Sequence, residues 1–310
     1  MKNSSFIDKE SYCQFLFDQN GPYWHIATPG NLTEILFTTP EEYRFGLTLS
    51  AVCTLDAGIK VYAIQIMNNH LHLIARAHSP KQCIEYLKLY SKRLKRWAAS
   101  RGKILVLPDM FVCEPLPIDN LQLLRNSIVY THRNRYVVDS SQTPFSSPWG
   151  SGVLYFGPDI DSLKSVKFND LSYKDKRLIT CSRNIILPDN YTVRNGCISP
   201  ESFCDWQTGR AFFRSAHHYF NMLTKNFEAY AEFSNLLGDA ANITDEELYS
   251  YAISYSKQVS NVSSPALLPH DAKLDLARKL HFDYHSNNSQ IRRILKIEPS
   301  VLESMFPTPR

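Results

Sequence analysis

Residues Tyr62 to Arg76 read YAIQIMNNHLHLIAR, an apolar run that carries two histidines, His70 and His72, with one leucine between them. Side chains alternate across a β-strand with a period of two, so His70 and His72 point to one face. Leu71 and Leu73 then point the other way, into the core the sheet covers. Two imidazoles one pleat apart can share a divalent ion through ring nitrogens. The alternative is a cross-strand polar patch of hydrogen-bonded histidines. Further on, IDNLQLLRNSIVYTHRNRYVV places Tyr130 and Asn134 four residues apart. They share a helix face if the helix continues through Thr131 to Asn134.

The elements that must position these groups follow from periodicity and punctuation. Val61 to Met67 is a second apolar strand, and Asn68 and Asn69 can make the turn between the two, since Asn tolerates left-handed backbone. A helix from Pro40 to Gly58 precedes them. Lys81 to Lys103 follows as an amphipathic helix, with Ile84, Leu87, Leu94 and Trp97 at helical spacing and eight Lys or Arg against one acid, Glu85. Its Lys88, Lys92, Arg93, Lys95 and Arg96 are either a solvated face or a phosphate-binding surface. Tyr90 and Trp97 could stack on unpaired bases or belong to the core. Strand, helix, strand, strand, helix is the order of a small α+β sandwich: a ferredoxin-like antiparallel sheet with helices on one side. A helix carrying Leu121, Leu124, Ile128 and Tyr130 comes next, capped by Asp119 or Asn120.

Bulk properties exclude several classes. The 310 residues are 44% hydrophobic and 21% charged, as in ordinary globular proteins. The N-terminus has no apolar signal segment and the chain has no run of eighteen apolar residues, so a cytoplasmic protein without membrane spans is expected. The seven cysteines, without a C-x-x-C pair, argue for reduced thiols and against a disulfide framework or zinc finger. The net charge of +4 is mildly basic. A histidine-triad hydrolase would need a third histidine at position 74, which is Ile74. The repeated His-x-Thr/Ser element of two-histidine phosphoesterases is missing, as are the H-E-x-x-H, P-loop and G-x-S-x-G motifs.

MNNHLHLIA resembles the M-x-N-H-x-H-L segment of the single-tyrosine HUH transposases, and VYTHRNRYVV resembles the R-Y-I-H-x-N-P-V segment of their REP-associated branch. YWHIATPGNLTEILFTTPEEYRFGLTL and PFSSPWGSGVLYF are weaker echoes, and the likeness spans about residues 20–157. The chain departs at Asn68, where proline or aspartate is common, at Arg135, where proline follows the asparagine, and at FSSPWG. The resemblance implies Tyr130 as the nucleophile and His70, His72 and Asn134 as ligands of Mg²⁺ or Mn²⁺. The ion would polarise a phosphodiester that a phenol, with its pKa of about 10, attacks poorly unaided. It further implies a transposase that cleaves and rejoins single-stranded DNA at a hairpin or palindromic repeat through a 5′-phosphotyrosine. The alternative is a DNA-binding protein that keeps the fold without turnover. Insertion-sequence relatives act as dimers exchanging tyrosine helices; the residues here choose neither that homodimer nor a monomer.

Three regions are expected: a catalytic domain over 1–157, a helical accessory region over 158–262 and a helix-turn-helix-like segment over 263–310. The middle region holds adjacent His217 and His218, which on a helix do not share a face for metal binding. In the last region, helices Gln290–Leu295 and Pro299–Phe306 follow a turn, with Ser286 or Asn288 as cap. Arg292, Arg293 and Lys296 would make phosphate contacts, or the segment is a plain helical bundle.

Overall fold

The computed structural model describes residues 8–30, 32–138, 147–157, 164–183, 185–225, 245–284 and 286–307. The chain divides into two compact units, residues 1–225 and 226–310. In the first unit α1 (Lys9–Asn20) leads into β1 (Tyr23–Ala27), α2 (Pro40–Ala57), β2 (Lys60–Ile66), β3 (Leu71–Arg76), α3 (Pro80–Ser100), β4 (Leu116–Ile118) and α4 (Leu121–Val138). The four strands form an antiparallel sheet in the order β2-β3-β1-β4. Local chemistry sets the element ends. Thr39 and Glu42 form a capping box at the start of α2, and Gly58 ends it with φ of 65°, a left-handed conformation that glycine adopts without a steric penalty. The amide of Met67 donates to the carbonyl of His70 at 2.8 Å, closing the β2–β3 hairpin across Asn68 and Asn69.

Alternation along the strands splits the core in two. Ile26, Val61, Ile64, Leu71, Leu73 and Ala75 pack with Cys83, Tyr86, Leu87 and Leu94 of α3 and with the apolar face of α2. Tyr23, Tyr62, Ala63 and Ile74 pack on the opposite face, with Leu124, Ile128 and Val129 of α4. Helices therefore cover both faces, which corrects the one-sided arrangement expected. The physical reason is that α4 carries its own apolar stripe, and the second sheet face gives it somewhere to be buried.

The region after residue 157 also differs from expectation. Besides the helices expected it holds a three-stranded antiparallel sheet, β5 (Val166–Lys167), β6 (Thr192–Arg194) and β7 (Cys197–Ile198). Asn195 and Gly196, with φ of 52° and 79°, turn β6 into β7. This sheet contributes Val193 and Ile198 to a cluster with Ala51 and Val52 of α2. After the short helices α5 (Tyr173–Thr180) and α6 (Pro200–Phe203) comes α7 (Trp206–Ala211), then α8 (Ala216–Lys225). Phe212, Phe213 and Tyr219 complete the core beneath α4. The boundary expected at 157/158 thus lies inside the first unit, because the α4 face of the sheet is finished by aromatic residues from 155–223. Residues 226–244, within the region expected to be helical, lie outside the described residues.

The second unit contains α9 (Asp245–Ser260), α10 (His270–Phe282), α11 (Asn288–Leu295) and α12 (Pro299–Met305). The boundary expected at 262/263 falls inside it, since Tyr251 of α9 packs against Tyr284 with ring centroids 4.8 Å apart. Asn287, rather than Ser286 or Asn288, caps α11: its side chain accepts from the Gln290 amide, and the Gln290 side chain accepts from the Asn287 amide. Among the described residues no helix is long and apolar enough to cross a membrane.

Candidate active site

The central strands of the first sheet carry the histidines. β3 lies between β2 and β1, with Ala27 opposite His72. Because Leu71 and Leu73 enter the α2–α3 core, His72 faces the α4 side. His70 sits just before β3 on the same side, its ring centroid 4.8 Å from that of His72. Helix α4 packs against β2 and β3, and its Tyr130 ring stands 5.3 Å from His72. The fold thus brings the histidine pair and the tyrosine into one cluster.

Asn134 follows one turn after Tyr130. Its amide nitrogen donates to the Tyr130 carbonyl at 3.2 Å, so the side-chain oxygen is the atom it can offer a cation. The helix is continuous through Val138, although the side chains of residues 135–138, Arg135 and Tyr136 included, lie outside those described. Arg133, the residue before Asn134 on α4, is wholly buried.

His25, which no spacing in the sequence singles out, completes the cluster. Its Nε2 lies 3.2 Å from His72 Nδ1, and its ring centroid lies 6.0 Å from that of Tyr130. Burial, with the neighbouring His72, holds His25 well below the ordinary imidazole range. Burial pushes His72 down to about 3. Both are neutral at pH 7, the state in which an imidazole can be a ligand. Gly30 also belongs here, since a Cβ on it would lie 2.7 Å from His70 Nδ1, so the loop after β1 is shaped to the ring.

The basic helix is placed elsewhere. Tyr86, Tyr90 and Trp97 of α3 are core residues, Trp97 stacking on Phe45 at 4.5 Å. α3 therefore lies against the sheet face opposite the histidines and Tyr130, and its exposed Lys88, Lys92, Lys95 and Arg96 point outward from there. Arg93 is held by Asp56 at 2.5 Å. In the second unit, Arg292 and Arg293 are exposed and line a groove with Ser289, Lys296 and Pro299. His218 accepts from the Arg214 amide at 3.3 Å. Ser147, Trp149 and Gly150 of the PFSSPWG segment pair along β2: Ile66 donates to the Trp149 carbonyl at 2.9 Å, and Gln65 bridges Gly150.

A scan against protein-family models and searches of curated proteins and solved structures return no match.

Proposed function

We propose that this chain is a metal-dependent single-stranded DNA endonuclease and strand transferase of the HUH single-tyrosine type, acting at hairpin or palindromic repeat DNA. The observation that carries the proposal is the convergence of Tyr130 with His70 and His72, groups far apart in sequence. The strand order β2-β3-β1-β4 in a strand-helix-strand-strand-helix-strand chain is that of a ferredoxin-like sandwich, which supports the reading.

In this scheme the Tyr130 oxygen attacks the scissile phosphorus. The bond from phosphorus to the 3′ oxygen breaks, and that oxygen takes a proton and leaves as a free 3′-hydroxyl. The phenolic proton passes to solvent, and the 5′-phosphate stays on Tyr130. A second 3′-hydroxyl can reverse the step on another strand without ATP, because the phosphodiester bond energy is kept. His70, His72 and the Asn134 side-chain oxygen would hold Mg²⁺ or Mn²⁺. When bound, that ion supplies Lewis-acid polarisation of the phosphate. Shared ring placement and neutral imidazole suit such a ligand set. Lys88, Lys92, Lys95 and Arg96, on the far side of the sheet, would contact a hairpin arm away from the cleaved bond.

One observation favours a second reading. Tyr130 is only 2% exposed, so a strand reaches it only if the elements over the site part. A DNA-binding protein that keeps the fold without turnover needs no such opening. The deciding experiment incubates the protein with single-stranded hairpin oligonucleotides and Mn²⁺, then resolves covalent protein–DNA adducts on a denaturing gel. Adduct and nicked product are expected, both abolished by EDTA, by His70→Ala and by His72→Ala, with DNA binding retained. Full activity in EDTA or in the double variant overturns the proposal, and tight binding with no adduct supports the second reading.

A further inference from the structure

We propose that Asn69 and His25 are positioning residues, each occupying the Nδ1 atom of one histidine so that His70 and His72 both present Nε2 to a shared cation. The proposal rests on the reading of that pair as metal ligands and assigns residues that the HxH spacing does not include.

For His70 the tautomer follows from hydrogen-bond logic. One terminal atom of the Asn69 side chain lies 2.7 Å from the Gly30 carbonyl oxygen and 3.1 Å from that of Thr33. Carbonyl oxygens only accept, so this atom is the NH₂ nitrogen and the other is the amide oxygen. That oxygen lies 2.7 Å from His70 Nδ1. An amide oxygen also only accepts, so Nδ1 carries the proton of the neutral ring and Nε2 carries the lone pair. The two carbonyls come from the loop after β1, where Gly30 already crowds the ring. The loop therefore orients Asn69, and Asn69 orients His70.

For His72 the partner is another histidine. Its Nδ1 lies 3.2 Å from His25 Nε2, and both rings are buried. One proton must occupy that contact. If it sits on His72 Nδ1, His72 Nε2 has its lone pair and His25 Nε2 accepts. If it sits on His25 Nε2, the proton of neutral His72 moves to its own Nε2, and the ligand is lost. Cation binding at His72 and the direction of this hydrogen bond are thus one equilibrium. Partners of this kind fix ring orientation and ligand basicity in metal sites generally.

The test is Mn²⁺ affinity of the full chain, read by calorimetry or by the spin-resonance signal of free Mn²⁺, with thermal melting to confirm the fold. His25→Gln puts an accepting oxygen near the position of Nε2 and should keep most of the affinity. His25→Leu, and His25→Asn, which is too short to reach, should each lose about 10- to 100-fold, as should Asn69→Ala. If His25→Leu does not fold, the Gln and Asn pair carries the comparison. Wild-type affinity in His25→Asn and Asn69→Ala, alongside loss in His70→Ala and His72→Ala, overturns this inference and leaves the metal site standing. Wild-type affinity in His70→Ala and His72→Ala overturns the metal site itself.

Discussion

The Tyr130 ring stands edge-on to His72, their centroids 5.3 Å apart and their planes at 82°. A helix and a central strand supply the two groups, so they meet only because α4 covers the sheet face onto which His72 projects. Side chains on regular elements are held more tightly than those on loops, which would suit the in-line attack proposed for Tyr130.

The same burial makes the fold sensitive to acid. Burial depresses His72 and His132 to about 3 each, and burial together with the neighbouring His72 holds His25 well below its ordinary value. The unfolded chain binds protons to these rings below about pH 6.5, while the folded chain does not until much lower pH. Their contribution is therefore full above pH 6.5 and is lost progressively as pH falls toward 3. Urea unfolding between pH 6.5 and 5, where carboxylates titrate little, should show stability falling by up to about 1.4 kcal/mol per pH unit for each ring. His132, bonded to Tyr219 and Ser151 at 2.9 Å each, is the ring to remove, and His132→Gln should lessen the slope by about that amount. A flat profile over this window would count against buried neutral histidines.

Much of the cluster was legible in local sequence. The period of two put His70 and His72 on one face, and the 3.6-residue repeat put Tyr130 with Asn134. His25 was not legible, because a lone histidine in YWHIA gains meaning only when β1 pairs beside β3, a long-range event. The β6–β7 hairpin does carry a local signal, since Asn195-Gly196 between Thr-Val-Arg and Cys-Ile is a strong turn sequence. The covering of both sheet faces carries none, since periodicity shows that α4 has an apolar stripe and not which surface receives it. Several residues in SNNSQ could cap α11, and only geometry selected Asn287.

The true extent of the first unit can be tested by truncation. Phe212 packs edge-on against Tyr23 and Tyr62 at 5.7 and 5.6 Å. The Asp205 amide donates to the Val61 carbonyl of β2 at 2.8 Å. A chain ending at residue 157 lacks these partners and exposes Tyr62, Ile74 and Tyr155. Each buried aromatic contributes about 1.5–3 kcal/mol, so that chain should be insoluble or molten. A chain ending at residue 225 should melt cooperatively. Cooperative melting of the shorter chain would restore 157 as a domain boundary.

The charges on α3 should act on binding rather than chemistry. Replacing Lys92 and Arg96 by alanine should lower the slope of log affinity against log salt by about one for each phosphate that is no longer neutralised. The rate of adduct formation at saturating DNA should stay unchanged, because these side chains lie across the sheet from Tyr130. A fall in that rate with no change in salt slope would show that α3 serves the cleavage point instead.

For the proposed reaction, helix geometry selects the nucleophile among competing tyrosines. Around a regular helix, Tyr130 and Asn134 are separated by about 40°, whereas Tyr136 lies about 160° from Asn134. Helix α4 runs unbroken through both tyrosines, so the repeat applies across the whole stretch. A nucleophile and a ligand serving one phosphate must converge within a few ångströms, and Tyr130 already touches the histidine cluster through His72 and His25. Tyr130→Phe removes one oxygen and keeps the packed ring, so it should cost about 0.5–1.5 kcal/mol of stability if that oxygen is hydrogen-bonded. It should eliminate the covalent adduct while DNA affinity persists, and Tyr136→Phe should leave the adduct intact. Adduct that survives Tyr130→Phe and disappears in Tyr136→Phe would reassign the nucleophile to Tyr136 and overturn the role proposed for Tyr130.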